Sequence, residues 1–181
     1  NGLNSNLPND ISVVDLEKVE DSFHSRFDAI DRTYSYLIFN SPSRNVLLDD
    51  FYYWEQAELD IKKMNEESKC LIGKHDFTSF RSLSCGSNNP ERNVKKIEIN
   101  KLGNIIEIKI TANAFLQNMV RIIVGTLLEI GKYQIKIPLK EILESKDRNS
   151  AGRTVNPRGL IFLGPNYANI TKLKPEKSPL I

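Results

Sequence analysis

Alternating apolar and polar positions mark three of the predicted strands of this chain. In residues 31–40, DRTYSYLIFN, the alternation places Tyr34 and Tyr36 on one side of a strand. Residues 94–112 alternate on both sides of a short polar turn, which predicts a hairpin. A last strand begins at Leu160 in the segment GLIFLGPNY.

Apolar residues at helical spacing mark three further segments. Residues 59–71 mix apolar side chains with Lys and Glu and end before Gly73. Residues 113–131, NAFLQNMVRIIVGTLLEIG, predict a long helix over about 114–131. A short helix follows in PLKEILESK and is begun by Pro138.

The order of these elements predicts an α+β, ferredoxin-like fold. From residue 31 onward it is strand, helix, strand, strand, helix, strand, the split βαβ arrangement, whose antiparallel or mixed sheet carries its helices on one face. We expect a single domain over 1–181, with a lead-in strand and loop over 1–30, the ferredoxin-like unit over 31–168 and a tail over 169–181. The segment ISVVDLEKV supplies the lead-in strand, which could extend the sheet. Many unrelated activities occur on this fold, so it does not define a function.

Length and composition restrict the class of protein. A chain of 181 residues with 40% hydrophobic residues can bury one core. No stretch of about 18 apolar residues occurs, so we expect no membrane partner. Cys70 and Cys85 are too few for a disulfide scaffold, and free thiols are typical of a cytoplasmic protein. His24 and His75 lack Cys or His partners at metal-ligand spacing, so we expect no metal site.

Positive charge is concentrated late in the chain, although the net charge is only +2. Residues 146–158, KDRNSAGRTVNPR, set four basic residues against Asp147 alone, and the tail adds Lys172, Lys174 and Lys177. Basic loops of this kind suit phosphate backbones, although most such clusters are simply solvated surface.

Arg121 stands in the middle of the long apolar helix and raises the question of its partner. On a helical wheel, Asn118 and Gly125 lie within about 60° of Arg121, which places the arginine in a narrow polar strip. Gly125 would allow another backbone to approach. Arg121 either reaches solvent at the helix edge or lines a cleft, where burial would require a carboxylate. Glu129 points about 80° away, so this helix offers no suitable acid.

Tyr34 and Tyr36 are candidates for base stacking because both rings stand on one face of a strand. Aromatic side chains on ferredoxin-like sheets hold bases in several RNA-binding modules, whereas core packing of tyrosine is the commoner role. In the sequence HDF we expect Asp76 to cap a turn rather than to form a catalytic pair with His75, since adjacent strand residues point to opposite faces. The motifs of common hydrolases, P-loop proteins and dinucleotide-binding proteins do not occur.

Six segments of the chain, taken in order, are similar to those of one enzyme family. They are LNSNLPNDI, FHSRFDAIDRTYSYLI, LIGKHDFTSFR, SLSCGSNNPERNV, ANAFLQNMVRIIVGTLLEIG and RTVNPRGLIFLGPNY, and they cover most of the chain. In these segments the chain resembles the tRNA pseudouridine synthase A (TruA) family. The catalytic core of that family is similar to two ferredoxin-like halves joined into one long sheet, which agrees with the predicted fold.

The resemblance implies an isomerase that converts uridine to pseudouridine at tRNA positions 38 to 40, in the anticodon stem-loop. An aspartate initiates the reaction, in which the glycosidic bond breaks, the base turns and a bond to carbon forms. The resemblance also implies that no cofactor or metal is needed and that a homodimer binds tRNA across a basic cleft. A non-catalytic, ferredoxin-like RNA-binding module is the alternative, and a small-metabolite-binding domain is a third hypothesis.

The resemblance assigns roles to four residues. Tyr34 in RTYSY matches the tyrosine that stacks on the target base, and Arg121 in NMVR matches the arginine that pairs with the catalytic aspartate. Leu160 in RGLIFL matches the apolar residue that packs against the bound uracil. Arg26 in FHSRF lies in the block before the tyrosine, and we expect it to contact RNA.

The catalytic aspartate of the family stands in a glycine–arginine–threonine–aspartate motif, and no aspartate of this chain has that context. In the family, the motif lies upstream of the LNSNLPNDI block. We therefore expect this chain to be the C-terminal half of the enzyme and to be inactive alone. Arg121 should then face a cleft, either exposed or paired with a substitute anion.

Overall fold

A computed structural model describes residues 2–168 of the protein. The helices of this part are α1 (Ile61–Ser68), α2 (Met119–Gly131) and α3 (Leu139–Ser145). The strands are β1 (Ala29–Asn40), β2 (Tyr53–Glu55), β3 (Gly73–Asp76), β4 (Glu91–Leu102), β5 (Ile105–Ala112) and β6 (Leu160–Tyr167). The tail over 169–181, with Lys172, Lys174 and Lys177, lies outside the described residues.

The strands form one six-stranded sheet in which β1 is central. β5 pairs antiparallel with β1, β4 with β5 and β3 with β4. β6 pairs antiparallel with the first part of β1, and β2 pairs parallel with its last residues. The order β6–β1–β5–β4, with α1 and α2 between strands, is the ferredoxin-like arrangement, so the predicted fold class is confirmed. The short strand β2 was not predicted.

The two faces of β1 differ as the alternating sequence requires. On the helix-covered face, Tyr36 and Ile38 are fully buried in the core. On the opposite face, the polar side chains pair across the strands: Asp31 accepts a hydrogen bond from Lys95 at 2.7 Å, and Ser35 donates one to Glu107 at 2.7 Å. Helices on one face and satisfied polar pairs on the other explain why a single strand tolerates both kinds of residue.

Helix α2 is buried on nearly all sides. Of its residues, Arg121 and Glu129 are the two that keep partial exposure. The loop over 148–156 lies against one side of the helix: the Gly152 N–H donates to Thr126 Oγ1 at 2.9 Å, and the N–H of the next residue in the loop donates to Glu129.

The structure corrects two of the predicted elements. ISVVDLEKV forms no strand; Val14 and Leu16 are 96% and 78% exposed, and no neighbouring strand satisfies the backbone there. The long helix begins at Met119 rather than near residue 114. The preceding segment is held elsewhere, because Gln117 O accepts a hydrogen bond from the Ser82 N–H at 3.0 Å.

Within residues 2–168, no helix is long and apolar enough to cross a membrane.

Candidate active site

Arg121 is held by two neutral oxygens. Its Nε donates to Val155 O at 2.7 Å, and its Nη1 donates to Asn118 Oδ1 at 3.0 Å. The side chain is half-buried. The long helix supplies the arginine, the residue just before the helix supplies one acceptor, and the loop covering the helix supplies the other.

No carboxylate within residues 2–168 forms an ion pair with Arg121. Of the two expected alternatives, exposure or a substitute anion, no substitute anion occurs within residues 2–168; a carbonyl and an amide oxygen bind Arg121 instead, and the side chain keeps partial exposure. Neutral acceptors satisfy N–H groups without cancelling the charge of a guanidinium, which offers five donors in all. Arg121 thus keeps its positive charge and its capacity to bind an acid.

The close backbone approach predicted at Gly125 is confirmed. A Cβ atom at this position would lie 1.9 Å from the carbonyl oxygen of Arg153. Only a residue without a side chain lets the covering loop lie this close to α2. The same loop then places the Val155 carbonyl against Arg121.

Tyr34 lies between two aromatic rings near the end of α2 at which the helix begins. Its ring meets Phe115 edge-on at a centroid distance of 5.1 Å and lies 4.9 Å from the ring of Phe162. Tyr34 is half-buried, and burial raises the pKa of its hydroxyl, an effect that Arg32 partly opposes. No hydrogen bond joins Tyr34 Oη to another of the described residues, so this hydroxyl is not engaged in the core.

Tyr36 has a different role, although its ring lies on the same face of β1. It is fully buried, and its hydroxyl donates to Asn156 O at 2.5 Å. Burial raises its pKa, with Tyr53 adding to the effect. Core packing therefore accounts for Tyr36, whereas Tyr34 keeps part of its surface open.

Leu160 begins β6 directly opposite Tyr36, and Phe162 lies opposite Tyr34. Residues paired in this way share a face of the sheet, so Leu160 and Phe162 stand beside the two tyrosines. A turn at Pro157–Gly159 leads into β6. Leu160 is thus the direct neighbour of Tyr36 and lies on the same face of the sheet as Tyr34.

Two segments bring Arg121 and Tyr34 into one region. The segment over 113–118 contributes Phe115 to Tyr34 and Asn118 to Arg121. The segment over 155–162 supplies the carbonyl acceptor of Arg121 and the second ring that contacts Tyr34. The arginine and the tyrosine are separated by 87 residues in sequence, yet the same two segments contact both.

Arg26 is the predicted site residue that contacts neither Arg121 nor Tyr34 within the described residues. It is exposed, its guanidinium lies 5.8 Å from the ring centre of Phe27, and its backbone carbonyl accepts a hydrogen bond from Arg32. No hydrogen bond within the described part of the chain joins Arg26 to Arg121 or Tyr34. Its expected contact with RNA stays a prediction.

The basic segment over 146–158 is largely satisfied by local partners. Arg158 pairs with Asp49 at 2.7 Å, and Lys146 pairs with the carboxylate of the turn residue Asp76 at 3.3 Å. Arg148 donates to carbonyl groups of its own loop and to Thr154 Oγ1, without a carboxylate partner among the described residues. The segment therefore carries less free positive charge than its sequence indicates.

The remaining candidates have structural roles. Asp76 caps a turn as predicted, accepting from the Thr78 N–H at 2.9 Å and from its hydroxyl at 2.7 Å, while His75 Nε2 lies 2.9 Å from a backbone carbonyl. Burial opposes it, but these hydrogen bonds and Lys146 lower the pKa of Asp76. Cys70 and Cys85 are free thiols. Among residues 2–168, no group of His, Cys, Asp or Glu side chains is arranged to hold a metal ion.

Sequence reasoning missed three features of the site. Phe115 falls within the predicted helix over about 114–131, yet it contacts Tyr34 from outside the helix. The Val155 carbonyl carries no side-chain signal that could have identified it. Asn118 was placed correctly beside Arg121, but as a helical residue rather than as the residue that precedes the helix.

The fold and the site define a class: a ferredoxin-like α+β domain with a charged arginine and a partly open aromatic ring at one end of the long helix. The sequence profile of tRNA pseudouridine synthase matches residues 68–168. The chain is 43% identical, over 167 residues, to the tRNA pseudouridine synthase A proteins of Francisella tularensis subsp. novicida and Francisella philomiragia subsp. philomiragia. In each comparison, the match covers 92% of this chain and 65% of the relative. The chain belongs to the tRNA pseudouridine synthase family.

Proposed function

We propose that this chain is part of a tRNA pseudouridine synthase that isomerises uridine at positions 38 to 40 of the anticodon stem-loop. The observation that carries the proposal is the state of Arg121, which is half-buried and fixed by two neutral oxygens, with its charge left for an acid. Membership of the family supports it, as does the partly open ring of Tyr34, which the same two segments contact.

In this proposal Arg121 binds the catalytic aspartate. That aspartate belongs to the glycine–arginine–threonine–aspartate motif of the family, a motif that these 181 residues do not contain. An opposite charge nearby favours the ionised form of a carboxyl group and lowers its pKa. Arg121 would therefore keep the aspartate charged and hold it at a fixed distance from the bound nucleotide.

Tyr34 and Leu160 form the proposed surface for the uracil base. An aromatic ring offers a face on which a base can stack, and the neighbouring apolar side chain excludes water from its edge. The edge-on contact with Phe115 and the contact with Phe162 fix the tilt of the Tyr34 ring before the substrate binds. A preorganised platform of this kind reduces the ordering cost of binding.

The remaining parts of the proposal concern the whole enzyme. The product has the same atoms as the substrate, so the isomerisation requires no oxidant or reductant and, in this proposal, no cofactor. We further propose that the enzyme acts in the cytoplasm as a homodimer and that Arg26 contacts the RNA. The exposed position of Arg26 is compatible with such a contact.

The proposal is tested with the complete protein and a tRNA transcript that carries tritium at uridine C5, since pseudouridine formation releases this hydrogen. Wild-type protein should release tritium, and changing uridines 38 to 40 to cytidine should abolish the release. Arg121→Ala should lower turnover by about 10²- to 10³-fold, because breaking a partly buried ion pair costs several kcal/mol.

Arg158→Ala is the matched control for this experiment. Arg158 is also an arginine late in the chain, but it pairs with Asp49 at the surface, so its loss should leave turnover near the wild-type rate. Wild-type turnover in Arg121→Ala would contradict the role of Arg121. A complete protein that binds tRNA without releasing tritium would instead support a non-catalytic RNA-binding module.

A further inference from the structure

Asn118 occupies an unusual position at the start of α2. Its backbone is left-handed, with φ 61° and ψ 9°. Its carbonyl accepts the first intrahelical hydrogen bond, from the Ile122 N–H at 2.9 Å, as expected of the residue that precedes a helix.

The side chain of Asn118 does not cap the helix. An asparagine at this position ordinarily accepts a hydrogen bond from a backbone N–H two or three residues later. Here no such bond forms, and Oδ1 instead accepts from Arg121 Nη1 at 3.0 Å. The amide is therefore directed at the arginine rather than at the helix that it begins.

The two acceptors together fix the plane of the guanidinium group. Val155 O binds Nε from one side and Asn118 Oδ1 binds Nη1 from another, while no hydrogen bond within residues 2–168 uses Nη2. Because both acceptors are uncharged, they orient Arg121 without neutralising it. A carboxylate at the position of Asn118 would satisfy the same geometry but would cancel the charge.

We propose that Asn118 is a positioning residue that aims Arg121 at the catalytic carboxylate. The inference rests on the proposed function, in which Arg121 pairs with that carboxylate. In this role, the amide carbonyl holds Nη1 and leaves Nη2 directed at the acid. Asn118 acts through Arg121 and has no contact with the base.

The first test is Asn118→Gly in the complete protein, with tritium release from labelled tRNA as the readout. Glycine adopts the left-handed backbone freely, so this change removes the amide and keeps the start of the helix. We expect kcat to fall about 10-fold or more, the loss typical of a hydrogen bond to a charged group. KM for tRNA and the thermal midpoint should stay close to the wild-type values.

Asn118→Asp is the second variant and separates positioning from a structural role. Aspartate keeps an acceptor at the same place and also tolerates the left-handed backbone. If Asn118 only stabilised the fold, Asp would be milder than Gly. If it positions a charged Arg121, Asp should reduce kcat more than Gly does, because its carboxylate competes for the arginine.

The outcomes are distinct. Wild-type kcat in Asn118→Gly, or a higher kcat in Asn118→Asp than in Asn118→Gly, would overturn the inference. The proposed function would stand in that case, provided that the wild-type protein forms pseudouridine. A loss of activity in Asn118→Gly that tracked a fall in thermal midpoint would also overturn it. A wild-type protein that formed no pseudouridine would overturn both the proposed function and the inference.

Discussion

Tyr34 and Tyr36 show how position along one strand separates two identical side chains. Both rings stand on the same face of β1, but Tyr36 lies in the core with its hydroxyl bound to the Asn156 carbonyl. Tyr34 lies nearer the start of β1, where the rings of Phe115 and Phe162 contact it, and it keeps part of its surface open. The sequence predicted the shared face. The alternation could not assign the two roles, because the depth of each ring depends on segments distant in the chain, and only the family resemblance singled out Tyr34.

Substitutions at Tyr36 should therefore affect mainly stability, and substitutions at Tyr34 mainly activity. Tyr36→Phe should lower the free energy of unfolding by about 1 kcal/mol, since the part-buried hydrogen bond from its hydroxyl to Asn156 O is lost. Tyr34→Phe should leave stability unchanged, because its hydroxyl has no bond within the described residues. Tyr34→Ala should abolish tritium release while the protein stays folded by circular dichroism. An unfolded Tyr34→Ala protein would favour core packing over base stacking.

The two thiols should differ in their reactivity. The backbone N–H groups of Ser87 and Gln117 lower the pKa of Cys85, whereas burial and then Glu67 raise the pKa of Cys70 to about 11. Because the thiolate is the nucleophile, Cys85 should react with iodoacetamide at pH 8 well before Cys70 does. Peptide mass spectrometry after timed alkylation measures the order, and Cys85→Ser should remove the fast phase. Faster labelling of Cys70 would contradict this prediction.

Among the elements, α2 and the loop over 148–156 determine the geometry of the site. The loop lies on the helix at Gly125 and is fastened by hydrogen bonds to Thr126 and Glu129. This contact places the Val155 carbonyl on Arg121, so the shape of the site depends on close packing of backbone against backbone. The sequence indicated the approach through a glycine on the polar strip of the helix. It did not identify the loop that makes it.

Gly125→Ala should displace this loop. The new methyl group would meet a backbone oxygen 1.9 Å away, so the free energy of unfolding should fall by about 1–3 kcal/mol or more, and activity should fall because the carbonyl acceptor of Arg121 moves. Gly86→Ala is the control, since nothing lies within 4 Å of a Cβ at that position. Urea denaturation and tritium release measure the two effects. Equal stability of the two variants would contradict the tight contact.

The strands and helices were predictable to the extent that their apolar pattern was long and regular. β1, the β4–β5 hairpin and α3 occur where the sequence places them. The predicted start of α2 was wrong because the apolar periodicity continues through residues 114–118. The left-handed backbone of Asn118 and the hydrogen bond from Ser82 prevent the helix from extending into this segment. β2 has three residues, too few to carry a pattern, and it forms because β1 offers an edge. Tertiary context thus decided what local pattern left open.

At the scale of the whole molecule, the distribution of charge separates candidate RNA contacts from internal ion pairs. The net charge is +2, and two of the cations in the 146–158 segment are paired with carboxylates. Only cations without such partners can release counterions when phosphate binds. Arg148 and Arg153 are the candidates here, since their side chains donate to carbonyl and hydroxyl oxygens. The sequence alone does not distinguish the paired cations of this segment from the unpaired ones.

Binding of tRNA by the complete protein should therefore depend on salt through particular arginines. The logarithm of the association constant should fall linearly with the logarithm of salt concentration, by about 0.9 per phosphate contact. Arg148→Gln should reduce this slope by about one, whereas Arg158→Gln should leave it nearly unchanged, because Asp49 already compensates Arg158. Filter binding at several salt concentrations measures the slopes, with thermal midpoints recorded to exclude unfolding. Affinity that is independent of salt would contradict phosphate recognition, and equal slopes for the two variants would show that local pairing does not decide which arginines contact RNA.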